Sequence, residues 1–233
     1  MTQDVVIVTG AAGNLGRAVL ARLAADHYRI VAVDRETLSL EAALSAVAGE
    51  DHLPMAGVDL MDSSACDAMV QTVLSRYGRI DGVVHTVGGF AMAPIADANP
   101  GLFESMFKLN ALTTVNIFRA VAQPMRDAAR GSLIAMGAAP GLKASAGMAA
   151  YAASKAAVHR IVEAFADEMK MHGVRANAIL PSIIDTPQNR AAMPDADHAS
   201  WVAPDTLART IAFLLSDGAR DITGTLLPVS GRV

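Results

Sequence analysis

Tyr151 and Lys155 stand four residues apart in AAYAASKAAVHR, near the start of an Ala-rich run that reads as a helix from residue 148. That spacing puts both side chains on one helix face. A free tyrosine titrates near 10 and is a poor acid–base catalyst at neutral pH. An ammonium beside it is expected to stabilise the phenolate and lower that value, which makes the pair fit for proton transfer.

A second chemical signature lies at the other end of the chain. The apolar run VVIVT leads into TGAAGNLGRA, with glycines at Gly10, Gly13 and Gly16. A backbone without Cβ atoms can turn tightly and approach a pyrophosphate closely. The helix that opens near Asn14 and Leu15 then points its free N–H groups and positive dipole end at the phosphates. Asp34 ends the second apolar run, 18 residues after Gly16. A carboxylate there accepts hydrogen bonds from ribose hydroxyls and repels a 2′-phosphate, so NAD(H) is favoured over NADP(H). Arg35 follows directly and offsets part of that preference. Lys155 is then also placed to bond the nicotinamide ribose. Asp59 has two readings, a contact to the adenine edge or a cap on the next helix.

These residues need a frame to bring them together. Short β-branched apolar runs at 5–9, 29–34, 53–59, 80–86, 131–137, 174–180 and 224–230 read as strands. Helical segments fall at 14–26, 37–48, 63–77, 100–129, 148–172 and 204–216. Continuous apolar strands alternating with helices imply an α/β fold, a Rossmann-like doubly wound parallel sheet of about seven strands with helices on both faces. The sequence reads as a single domain over 1–233, with a long irregular segment at 181–203 expected to be a substrate loop.

Bulk composition narrows the function. Hydrophobic residues make up 52% and charged residues 18%, which excludes a disordered chain. A net charge of −4 argues against a nucleic-acid partner. A lone Cys66, read as a small helix residue, excludes an internal disulfide and a cysteine-based zinc site, and no cluster has metal-ligand spacing. No signal peptide and no apolar stretch of the about 18 residues needed for a membrane span are found. A cytoplasmic protein acting on a small molecule is expected.

Together, TGAAGNLG (9–16), VAVD (31–34), VDL (58–60), Asn110 in KLNALTTVN, YAASK (151–155) and PSIIDT (181–186) resemble the short-chain dehydrogenase/reductase family over the whole chain. The resemblance implies hydride transfer between a nicotinamide and a carbonyl-like carbon, with Tyr151 as proton donor. It implies that Asn110 holds a water in a relay through Lys155. Leu60, Gly88, Pro181, Ile184 and Thr186 are implied as further cofactor contacts. It also implies a homo-dimer or homo-tetramer, built on the helices of 100–129 and 148–172.

Three departures qualify the match. Asn14 stands at the usual middle glycine, HTVGG (85–89) replaces the usual Asn-Asn-Ala-Gly, and Ala138 replaces the serine expected 13 residues before the tyrosine. They resemble the dihydropteridine reductase branch, as does DTPQNRAAMPDADHASW (185–201). The serine would bond a developing alkoxide, whereas a quinonoid dihydropterin spreads incoming charge over its ring. Losing one oxyanion donor costs on the order of 10²–10³ in rate where it is needed. Asn110 fits the common pattern better, which keeps a carbonyl or alcohol substrate open; a nucleotide-sensing protein that has lost catalysis is a third reading.

Several residues remain with paired readings. Phe90 stacks on a flat substrate or packs in the core. Ser145 replaces the lost serine or is a plain loop residue. Arg190 binds the substrate or faces solvent. Trp201 is a lid over the substrate or packs within the loop. His159 is a catalytic or a packing residue, and His85 contacts the nucleotide or is structural.

Overall fold

The computed structural model describes residues 3–47, 49 and 51–233. Seven parallel strands form one sheet: β1 (Val5–Thr9), β2 (Arg29–Asp34), β3 (Leu53–Ala56), β4 (Gly82–His85), β5 (Gly131–Met136), β6 (Val174–Pro181) and β7 (Leu226–Val229). Their order is β3-β2-β1-β4-β5-β6-β7. The chain winds outward both ways from β1, so β1 and β4 flank the point where the order reverses. In open parallel sheets a crevice opens beyond the carboxyl ends of the strands at that point.

Helices cover both faces. On one side α3 (Ser63–Tyr77), α5 (Thr113–Asp127) and α6 (Ala149–Met169) pack Val70, Phe118, Val121, Val158 and Val162 against the sheet. On the other, α1 (Asn14–Ala25), α2 (Thr37–Ser45) and α8 (Pro204–Leu215) bury Leu20, Leu23, Leu40, Leu207 and Ile211. Two short helices, α4 (Pro100–Phe107) and α7 (Pro187–Ala192), complete the set used below. Val5–Thr9 is buried at every position, as a strand covered on both faces must be.

The expected boundaries hold except where backbone conformation intervenes. The strand expected at 53–59 stops at Ala56, because Gly57 adopts φ +75° and turns the chain, leaving Asp59 beyond the strand. The helix expected at 37–48 ends at Ser45, and residue 48 lies outside the described residues. The single helix expected over 100–129 is α4 and α5 joined by a π-turn at Lys108–Leu112. Single π-turns inside α-helices concentrate at functional sites, and this one holds Asn110. The 181–203 segment is not irregular throughout. It contains α7 and a short turn at His198–Ser200, and its two ends meet at a bridge between Ile184 and Val202. Among the described residues no helix is long and apolar enough to cross a membrane.

Candidate active site

The glycine-rich turn is built for close approach. Gly10 has φ +68°, and a Cβ there would lie 2.6 Å from Thr86 Oγ1. A Cβ on Gly16 would collide with the Gly10 carbonyl and the Ala11 backbone. Gly13 caps α1, and its N–H donates to Gly10 O at 3.1 Å. The turn is tied to β2, because Asp34 Oδ2 accepts the Ala12 N–H at 2.9 Å. Beside it runs a cleft of about 540 Å³, lined among others by Gly13, Asn14, Asp34, Asp59, Gly88 and Thr186. Leu15, Leu60 and Ile184 line it too, whereas Pro181 ends β6, buried and away from the lining. Cradle, cleft and a carboxylate at the end of β2 fit a dinucleotide.

Lys155 is buried on α6, and its Nζ donates to Met136 O at 2.7 Å. A Cβ on Gly88 would lie 3.2 Å from that Nζ and 2.7 Å from Asn110 Oδ1. Gly88 thus leaves the lysine and the asparagine packed directly against the backbone. Burial pulls Lys155 down to about 8. One turn earlier on α6, Tyr151 meets the edge of Phe90, with ring centroids 4.9 Å apart and planes at 77°. Burial pushes Tyr151 up to about 12. The expectation that Lys155 lowers the tyrosine is thus reversed: the ammonium is turned to the Met136 carbonyl, and desolvation of the phenolate dominates.

Asn110 is almost wholly buried, and its amide is fully engaged. Nδ2 donates to Gly89 O at 3.1 Å and to Ser154 Oγ at 2.9 Å, and Oδ1 accepts from Gly89 N at 2.9 Å. Its carbonyl accepts from Thr114 Oγ1 at 2.8 Å. The side chain clamps the Gly88–Gly89 segment to α6. Ser154 completes the clamp by donating to Tyr151 O at 2.7 Å. The sequence reading passed over Ser154, although it stands inside YAASK one residue before the lysine.

Other expectations resolve by position. His85 bridges Thr9 Oγ1 at 2.8 Å and Thr113 Oγ1 at 3.2 Å, and burial drives it down to about 3. It is a structural histidine holding β1, β4 and the start of α5 together. Ser145 is exposed on the loop between β5 and α6 and, like Tyr151, is not part of the cleft lining. Arg190 forms a bidentate pair with Asp185 at 2.5 and 2.8 Å. Trp201 is only 8% exposed, its ring 4.5 Å from that of His198; it packs within its own loop rather than over the cleft. Asp59 Oδ1 accepts from Met61 N at 2.9 Å and caps that turn while lining the cleft. Thr186 caps α7 through Asn189 N. Gln188 on α7 accepts from Asn14 Nδ2 at 2.7 Å, closing a link from the 181–203 segment to the start of α1.

A dinucleotide cleft at the sheet's switch point, with a tyrosine and a buried lysine on the adjoining helix, defines an oxidoreductase of the nicotinamide-dependent kind. The short chain dehydrogenase family model matches residues 4–197, and the chain belongs to that family. It is 30% identical to D-threitol dehydrogenase of Mycolicibacterium smegmatis, over 97% of this chain and 91% of that one. It is 28% identical to levodione reductase of Leifsonia aquatica, over 99% and 94%. A solved short-chain type dehydrogenase/reductase from Mycobacterium ulcerans superposes with a TM-score of 0.92 at 26% identity, covering 100% of this chain and 90% of that one.

Proposed function

We propose that this oxidoreductase interconverts a carbonyl and a secondary alcohol, with Tyr151 moving the proton. The observation that carries the reading is the placement of Lys155 Nζ beside Gly88, a cleft-lining residue, one helical turn from Tyr151. Relatives named for D-threitol and levodione support the same substrate class. When bound, a nicotinamide cofactor supplies or accepts the hydride. Tyr151, kept neutral by burial, donates its phenolic proton to the substrate oxygen during reduction. Lys155 holds the end of β5 through Met136 O, one helical turn from Tyr151. Asp34 at the end of β2 accepts from the adenosine ribose hydroxyls and disfavours a 2′-phosphate, which supports NADH over NADPH.

A second reading is favoured by Ala138 and Phe90. Position 138 carries no hydroxyl, and its N–H donates to His159 Nε2 at 3.3 Å, so neither group is offered to an alkoxide. Phe90 is 57% exposed and can lie against a flat ring next to Tyr151. A quinonoid dihydropterin needs no alkoxide donor and would suit this arrangement. Cofactor absorbance, followed with NADH and NADPH separately, tests both readings against a cyclic ketone, a linear polyol's ketose and quinonoid dihydropterin. Turnover of either carbonyl above that of the pterin supports the first reading; turnover of the pterin alone replaces it with the second.

The chain is also proposed to form a homo-oligomer. Phe103, Phe107, Ala150 and Ala153 line a shallow apolar groove between α4 and α6, and Phe107 is 51% exposed. Light scattering that returns a monomer at micromolar concentration contradicts this.

A further inference from the structure

His159 lies two turns beyond Tyr151 on α6 and is 1% exposed. Its Nε2 accepts the Ala138 N–H at 3.3 Å. The loop above it is shaped around the ring. A Cβ on Gly137 would lie 2.6 Å from Nε2, and one on Gly141 would lie 2.5 Å from Cε1. Neither glycine has a positive φ, so close packing, tightest against the imidazole and next against Leu180 and the Ala156 backbone, is what requires glycine there. The other ring nitrogen, Nδ1, is buried without a hydrogen-bond partner. With Nε2 accepting, the proton must sit on Nδ1, an orphaned donor whose desolvation is uncompensated. A leucine or methionine would fill the space without that penalty. The histidine gives the fold one thing an apolar side chain cannot, an acceptor aimed at residue 138.

That acceptor completes a row. Met136 O receives the Lys155 ammonium at 2.7 Å, Gly137 N–H donates to Ile179 O at 2.9 Å, and Ala138 N–H donates to His159. The end of β5 is thus pinned at three successive residues, and two of the pins come from α6, the helix that carries Tyr151.

We propose that His159 is a positioning residue for the reaction: its neutral Nε2 locks residues 136–138, and through them the Lys155 ammonium and the backbone at Ala138, in register with Tyr151. Burial draws His159 down to about 4, with Arg160 and Lys155 adding to the effect, so the acceptor is present at neutral pH. The proposal rests on the Tyr151–Lys155 reading for its kinetic consequence but not for its structural one.

The test separates the two. In ¹⁵N-histidine-labelled protein, long-range spectra report the tautomer of His159, and hydrogen exchange reports the Ala138 amide. We expect the Nδ1–H tautomer and an Ala138 amide that exchanges at least about tenfold faster in His159→Leu, with His159→Gln in between because its carbonyl can still accept. In turnover of a cyclic secondary alcohol with NAD⁺, the Leu variant is expected to lose roughly tenfold or more in kcat with an unchanged cofactor KM and an unlowered Tm, and Gln to recover part of it. An Nε2–H tautomer, or an Ala138 amide equally protected in the Leu variant, overturns the proposal. So does a Leu variant with wild-type kcat, or one in which kcat falls only as Tm falls and Gln fares no better. If the wild type does not oxidise the alcohol, the functional reading fails while the tautomer and exchange results still decide the role of His159.

Discussion

Lys155 and Tyr151 are both held away from their usual titration by burial, in opposite directions. The folded lysine titrates near 8 rather than 10.5, so between those values the unfolded chain binds the extra proton. Stability from this group is therefore present above pH 10.5 and is lost as pH falls toward 8. Lys155→Met removes the cost of charging a buried ammonium. Its Tm relative to wild type should be highest at pH 7 to 8 and fall by pH 10, measured by calorimetry across that range. A difference that does not change with pH would mean the lysine is not desolvated as described. Ala138→Ser adds one hydroxyl at the residue nearest to the expected donor position. For a carbonyl substrate it should raise kcat by about tenfold or more, and for a dihydropterin it should change little.

At the scale of elements, the π-turn at Lys108–Leu112 is what lets Asn110 face Gly89 and α6 together. Asn110→Ala leaves the Gly89 N–H and C=O without the amide that pairs them. It should destabilise the protein by about 2–3 kcal/mol in urea unfolding, and the turnover that remains should fall as well. The α7 segment acts from the other side of the cleft. Gln188→Ala removes its hydrogen bond to Asn14 and should speed cofactor release roughly 2- to 10-fold, read by stopped-flow fluorescence, with kcat unchanged if release is not limiting. These contacts were only partly legible in the sequence. The Tyr151–Lys155 spacing, the glycines and Asp34 are local patterns that can be read directly from the sequence. The π-turn leaves no mark in a helical hydrophobic pattern, so 100–129 reads as one helix. Gln188 pairs with a residue 174 positions away, which no local pattern reports.

Over the whole molecule, alternation of apolar strands and amphipathic helices was enough to give the order of elements and the parallel sheet. It could not give electrostatic surroundings. The spacing of Tyr151 and Lys155 suggested a lowered phenol, but the tertiary fold buries both and turns the ammonium to Met136, which only packing decides. Likewise the pairing of Arg190 with Asp185 and the contact of Trp201 with His198 are not reported by their loop position alone. The account stands most directly on one experiment. NADH and NADPH oxidation would be followed with a cyclic ketone for the wild type and for Tyr151→Phe, with dinucleotide binding measured beside it. The expected result is turnover in the wild type, preferring NADH, and a loss of about 10²–10⁴ in kcat in the variant at unchanged dinucleotide affinity. A Tyr151→Phe variant that turns the ketone over as fast as the wild type would contradict the account.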